Sequence, residues 1–286
     1  MARILIFDGA PAQSQRVIAS HGGPSNSEMF ERALSLHASA LEFLALNVAD
    51  GEGLPKGIAL ANFDGVVITG SPLSVYKTRP EVTRQIELAR DVFQSGVPMY
   101  GSCWGLQLMT ATLGGVVRLN PEGRELGVAR NIAPNEAGAG HFLFSGKPKA
   151  FDALCSHQDD VATLPPDAIA LASNGMSAVQ AAEIRRGTSH FVGVQYHPEH
   201  TLATTAAIIE ARQERLVAEG FAKSSESLRS LIAHLRILES DPGRRDIAWL
   251  LGIDKQVLDP RQRTAELGNW LRARVLPRRA QRAAAA

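Results

Sequence analysis

The chain has 286 residues, 45% of them hydrophobic and 21% charged, with a formal net charge of +1. That balance is ordinary for a soluble globular protein of one large domain, or one domain with an extension, and gives no electrostatic case for nucleic acid or an acidic membrane as main partner. No apolar run approaches the roughly 18 residues of a membrane span, and Cys103 and Cys155 alone exclude a disulfide framework, which fits a cytoplasmic location.

The opening "MARILIFDGA" has one basic residue and then a short β-branched run. It predicts a first strand; a signal peptide would need a longer apolar region and a cleavage site. "EMFERALSLHASA" follows as a helix, "EFLALNV" as a strand and "FDGVVITGS" as a buried strand closed by Gly70. From Arg79 to Ser95, Val82, Ile86, Ala89 and Phe93 share a helical face, and Gly96 stands at the C-terminal stop. "VPMYG" is the next strand, then a helix from Trp104 to about Leu113, ended by Gly114-Gly115. Strands alternating with helices, several of them uniformly apolar, predict a parallel sheet covered on both faces.

Between about 115 and 197, short strand candidates are separated by Gly, Pro and Asn turns: "GVVRLN", "LGVARNIA", "AIALAS", "AVQAAEI" and "HFVGVQYH". This texture predicts a more antiparallel elaboration. After His200 the pattern is helical. Leu228, Leu231, Ile232, Leu235 and Leu238 form an apolar stripe with Ser224 or Ser225 as N-cap, and Asp241-Pro242-Gly243 breaks that helix. Leu267, Trp270, Leu271 and Val275 form a last amphipathic series, and the end, "RRAQRAAAA", is expected to fray. Residues 1–200 carry 15 Lys and Arg against 19 Asp and Glu (−4), and residues 201–286 carry 15 against 10 (+5). The two parts attract weakly, so the helical part is expected to pack on the first or on a partner, while Arg278, Arg279 and Arg282 are expected to solvate an exposed tail.

One stretch carries chemistry. Gly101-Ser102-Cys103-Trp104-Gly105 has the G-x-nucleophile-x-G form of a strand-to-helix elbow. The sharp turn holds the nucleophile in a strained conformation, and side chains two before and two after it would collide with neighbouring elements. The thiol then sits at a helix N-terminus, where the dipole and free N–H groups favour the thiolate. It also lies at the carboxyl end of a strand, where open parallel sheets bind ligands. A merely buried cysteine needs no such glycines. "GVQYHPEH" supplies a base and its orienter: His197 and Glu199 are two apart, so both can point to one side of a strand end, with Pro198 stiffening the pair. His200 is a rival base. Acyl transfer through a thioester also needs oxyanion donors. The N–H of Trp104 is one; in "TGSPLSV" the other is Ser71, since Pro72 has no N–H.

Taken together, "TGSPLSVY", "GSCWGLQLM", "SHQDDVATLP" and "VQYHPE", in this order and spacing, resemble the class I glutamine amidotransferases. The resemblance covers about residues 1–200 and implies an open, mostly parallel α/β sheet flanked by helices, of flavodoxin-like type, with residues 201–286 as a helical extension. It implies Cys103 as nucleophile, His197 as base and Glu199 as its orienter, an oxyanion hole from Ser71 and Trp104, and neither metal nor cofactor. It further implies that Gly70, Gln107 and the loop Ser156-His157-Gln158-Asp159 hold the amino-acid end of the substrate, the loop chiefly through its backbone. Cys155 reads as a small buried hydrophobe. Two positions depart from the family: Ser102 stands where an aliphatic residue is usual, and Trp104 is bulkier than most, so both are expected to reshape the pocket.

There is no Gly-rich phosphate loop and no Ser-Gly-Gly motif of a fused ATP-dependent synthetase. The expected activity is therefore hydrolysis of the γ-amide of glutamine, with ammonia passing to a separate synthetase subunit. The alternatives are a free-standing hydrolase of γ-glutamyl peptides or amides and a catalytically idle binding protein. Association with a second copy is compatible with either.

Overall fold

The computed structural model describes residues 1–284. Among these residues eleven strands and thirteen α-helices follow in chain order. The first half runs β1 (Ala2–Asp8), α1 (Ala12–Ala19), α2 (Asn26–Ser35), β2 (Leu41–Asn47), β3 (Gly65–Ile68), α3 (Pro80–Gln94), β4 (Met99–Ser102) and α4 (Trp104–Thr112). Next come β5 (Val116–Leu119), β6 (Glu125–Pro134), the single turn α5 (Glu136–Ala139), β7 (Phe151–His157), β8 (Asp159–Thr163), β9 (Ala168–Ser173), β10 (Ala181–Arg186) and β11 (Ser189–Val194). The rest is helical: α6 (Leu202–Ala211), α7 (Gln213–Ala218), α8 (Ser225–Ser240), α9 (Arg245–Leu251), α10 (Lys255–Leu258), α11 (Pro260–Arg263), α12 (Ala265–Trp270) and α13 (Leu276–Ala284), the last two joined by a π-turn over Leu271–Val275. Among the described residues no helix is long and apolar enough to cross a membrane.

Nine strands form one sheet in the order β2-β1-β3-β4-β11-β10-β9-β6-β7, and β5 pairs with β8 in a second. The half from β2 to β11 is parallel and the half from β11 to β7 antiparallel. The parallel half is the one the alternation of strands and helices predicts, and the antiparallel half the one expected from the short strands after residue 115. β1, β3 and β4 are apolar because both faces are covered: Ile4, Ile6 and Val67 pack into one core layer, and Leu5, Val66 and Ile68 into the other. Parallel pairing of β4 with β11 aligns Ser102 with Val194, so the chain leaves both strands at the same edge. The Cys103 N–H donates to the Val194 carbonyl at 2.7 Å, which pins the two strand ends together.

Several expectations need correction. The segment Ser156-His157-Gln158-Asp159 is not a loop; it is the end of β7, a one-residue bend at Gln158, and the first residue of β8. Helix α1 is absent from the sequence reading, because "AQSQRVIA" buries no residue and shows no apolar stripe. The helical reading of residues 28–40 is too long, since α2 stops at Ser35.

The carboxyl end is ordered through Ala284, and the last two alanines of the expected frayed segment lie outside the described residues. Its arginines do not solvate a tail. Arg278 donates to the carbonyls of Phe63 and Gly96, Arg279 to that of Met1, and Arg282 to the Asp64 carboxylate at 2.7 Å. These acceptors precede β1, β3 and β4, so α13 clasps the end of the sheet opposite Cys103. The α8 stripe (Leu228, Ile232, Leu235, Leu238) is buried against Leu202, Ile209, Leu126 and Leu154, with the Ser224 hydroxyl capping the Ser227 N–H. Leu267, Trp270, Leu271 and Val275 enter the main core, where Trp270 lies against Gly65 of β3.

Candidate functional site

Cys103 has φ 50° and ψ −96°, one of two non-glycine residues with positive φ among the described residues. Such a conformation costs on the order of 1–3 kcal/mol and persists only where its surroundings impose it. The flanking glycines show how. A Cβ on Gly105 would sit 2.7 Å from the Ile68 carbonyl oxygen, and one on Gly101 would sit 2.8 Å from the Gly105 carbonyl carbon. Only with both bare can β4 turn straight into α4 beneath β3.

Beyond β11, the His197 N–H donates to the Leu154 carbonyl at 2.7 Å and fixes the segment that follows the strand. His197 Nδ1 lies 2.7 Å from Glu199 Oε1. The other oxygen of that carboxylate accepts the Ser102 hydroxyl at 2.8 Å. Histidine, carboxylate and serine are all buried. Burial disfavours charge on His197, but Glu199 and then Cys103 outweigh it and raise its pKa to about 10. Ser102, which departs from the family pattern, thus faces Glu199 and leaves the pocket alone. Trp104 also points away, its indole N–H donating to Gln85 at 2.8 Å in a fully buried place.

His200, the rival base, stacks on His197 with ring centroids 3.9 Å apart and planes 4° from parallel. Burial, then the charge on His197, push its pKa well below the usual range, so it stays neutral. Gly70 leaves room for the His197 ring: a Cβ there would lie 2.6 Å from His197 Cε1. The turn carrying Gly70 is held from below, where Asn26 donates to its carbonyl at 3.3 Å and to Asp8 at 3.0 Å.

Cys103, His197, His200, Gly70, Ser71 and Ser156 open on one cavity of about 210 Å³. Trp104 is the first residue of α4, so its N–H is among the orphan donors of a helix start, directly after the cysteine. The remaining expected residues divide. The Ser156 carbonyl lies 3.8 Å from the Cys103 sulfur. Gln107 is turned inward, donating to the Asp159 carbonyl at 3.0 Å and to Gln195 at 3.2 Å. His157 is enclosed between Glu125 and the Asp159 carbonyl, Gln158 accepts from Arg124 and Arg215, and Asp159 accepts from the Tyr76 hydroxyl. None of these four lines the cavity. Cys155 is buried in β7 and does not reach it, and burial pushes its thiol pKa well up. Three lining features escape the sequence reading: Arg212, the face of α1, and the apolar side of α6.

Comparison with known proteins agrees with this architecture. The model of the family described as glutamine amidotransferase class-I matches residues 23–213. A gamma-glutamyl-L-1-hydroxyisopropylamide hydrolase from Pseudomonas sp is 31% identical over 280 residues, covering 96% of this chain and 94% of that protein. A glutamine-hydrolyzing GMP synthase from Thermomicrobium roseum is 37% identical over 138 residues, which are 47% of this chain and 23% of that larger protein. Among solved structures, a glutamine amidotransferase from Thermotoga maritima superposes with TM-score 0.64 at 18% identity, covering 94% of this chain and 98% of that one. One from Methylobacillus flagellatus gives 0.62 at 20% identity, covering 98% and 95%. The chain belongs to the class I glutamine amidotransferase family.

Proposed function

We infer that the protein hydrolyses a γ-glutamyl amide bond through a thioester on Cys103. The observation that carries this is the strained cysteine at the β4–α4 elbow, opening on the same cavity as a histidine bound to a buried carboxylate. The Cys103 sulfur attacks the amide carbonyl carbon, and the Ser71 and Trp104 N–H groups receive the oxyanion. His197, protonated up to about pH 10, gives its proton to the departing amine. The neutral imidazole then takes a proton from water, whose oxygen attacks the thioester and frees glutamate and the thiol. Glu199 keeps the imidazole in one tautomer, and Ser102 keeps Glu199 in place.

With glutamine the product is ammonia, to be used by a separate synthetase subunit. A second reading has its own support. Val17, Ile18, Pro24, Met29, Ile208 and Ala211 give the cavity an apolar wall that ammonia does not need. That wall suits an N-substituted γ-glutamyl amide, and the relative matched along nearly the whole chain is named for such a substrate. Assay of the purified chain against glutamine and a series of γ-glutamyl alkylamides decides between them. Turnover rising with alkyl size favours the second; glutamine alone favours the first. No hydrolysis of any member would reject both.

A further inference from the structure

Arg212 follows the last residue of α6 and lines the cavity with Cys103. One of its guanidinium nitrogens donates to the Ser156 hydroxyl at 3.0 Å, and the Ser156 carbonyl lies 3.8 Å from the Cys103 sulfur. One residue therefore bridges the cation and the nucleophile. The neighbouring charges are unbalanced. Glu219 is taken by Arg124 at 2.8 Å and by Arg215 at 2.6 Å, and the same two arginines share the Gln158 amide oxygen. Among the described residues no carboxylate lies within ion-pair distance of Arg212. Glu219 thus answers two guanidinium groups, and Arg212, the one that lines the cavity with Cys103, has no carboxylate of its own. Burial, then Arg124 and Arg215, lower the Arg212 pKa to about 10, a cation short of counter-charge in its own setting.

A cation at the C-terminal end of α6 also meets that helix's carbonyls favourably, and this alone would explain a surface arginine. It does not explain one turned into the cavity on a serine hydroxyl. We propose that Arg212 is the residue that recognises the α-carboxylate of the γ-glutamyl substrate, and so restricts the enzyme to amides of amino acids that carry that group. This rests on the γ-glutamyl reading above and names the part of the substrate that Arg212 contacts. An extended glutamyl chain places its α-carboxylate carbon about 5 Å from the amide carbonyl carbon, a span suited to a cation one residue away from the nucleophile. A guanidinium offers a carboxylate two parallel N–H donors, which an ammonium cannot reproduce.

The test compares glutamine with 4-aminobutanamide, the same amide without the carboxylate, in the wild type, Arg212→Met and Arg212→Lys. For glutamine, Arg212→Met is expected to raise KM roughly 10- to 100-fold with kcat much less affected. Turnover of 4-aminobutanamide should be equally poor in wild type and variant, and Arg212→Lys should restore part of the glutamine KM. An equal fractional loss on both amides, or no loss, would overturn the assignment, since a merely structural arginine cannot distinguish them. Calorimetric titration with glutamate separates this from the hydrolytic reading. If the wild type hydrolyses neither amide but binds glutamate, and Arg212→Met does not, the carboxylate site stands and the hydrolysis fails. If the wild type does not bind glutamate, the site itself is rejected.

Discussion

At the scale of single residues, the proposed chemistry depends on how Glu199 is held. Its two oxygens are divided between His197 and Ser102, with almost no solvent contact to compensate for a lost partner. Ser102→Ala removes a hydrogen bond worth about 1–3 kcal/mol in such a place. It should lower kcat about tenfold while leaving KM for glutamine unchanged, which steady-state kinetics would show. Glu199→Gln removes the charge that holds His197 protonated. The native His197 pKa of about 10 lies above its ordinary 6.5. Its contribution to stability is therefore complete below about pH 6.5 and is lost as the pH rises through about 10. The variant should lose roughly 100-fold in kcat. The melting-temperature gap between wild type and variant should be widest near pH 6 and close towards pH 10. A gap that widens with pH would contradict this sign.

At the scale of elements, the site is a consequence of β4 turning into α4 under β3. Gly105→Ala places a methyl 2.7 Å from the Ile68 carbonyl oxygen, which is backbone and cannot step aside. The expected cost is roughly 1–3 kcal/mol, read by chemical denaturation, together with loss of activity from a displaced Cys103. This elbow was legible in the sequence because its requirement is local: two glycines at fixed offsets from a cysteine, between an apolar strand and a helix. So was the pairing of His197 with Glu199, which needs only their spacing across Pro198. The passage from β7 into β8, which belong to different sheets, was not. Asp159 was expected in a loop, yet it and Asp160 are buried in β8, where Asp159 accepts the Tyr76 hydroxyl and Asp160 forms an ion pair with Arg118. Those partners lie 83 and 42 residues away, and no local pattern announces them. Helix α1 and Arg212 escaped for the same reason: their role comes from where α6 lies, not from their neighbours in the chain.

At the scale of the whole molecule, the helices beyond residue 200 are bound to the sheet at both of its ends. Near the site, Glu266 of α12 accepts the hydroxyl of Tyr196, the residue before His197, at 2.8 Å. The same carboxylate pairs with Lys147 at 3.1 Å, with both side chains almost wholly enclosed. At the opposite end α13 holds the turns that precede β1, β3 and β4. We propose on these contacts that residues 1–200 form a catalytic domain and residues 201–286 a packed extension that completes its core. Truncation after Ser224 strips away the Trp270 side chain, the α8 stripe, each of whose members contributes roughly 1.5–3 kcal/mol, and the partner of a buried lysine. The shortened chain should be insoluble or unfolded by circular dichroism. A soluble monomer with unchanged melting temperature and activity would show the extension to be dispensable.

The central claim is that hydrolysis passes through the sulfur of Cys103. Its most direct test is the kcat of Cys103→Ala against glutamine and a γ-glutamyl alkylamide, with circular dichroism confirming an unchanged fold. The predicted result is a loss of at least about 10⁴-fold on whichever amide the wild type hydrolyses. A folded variant that keeps most of the wild-type rate would contradict the account.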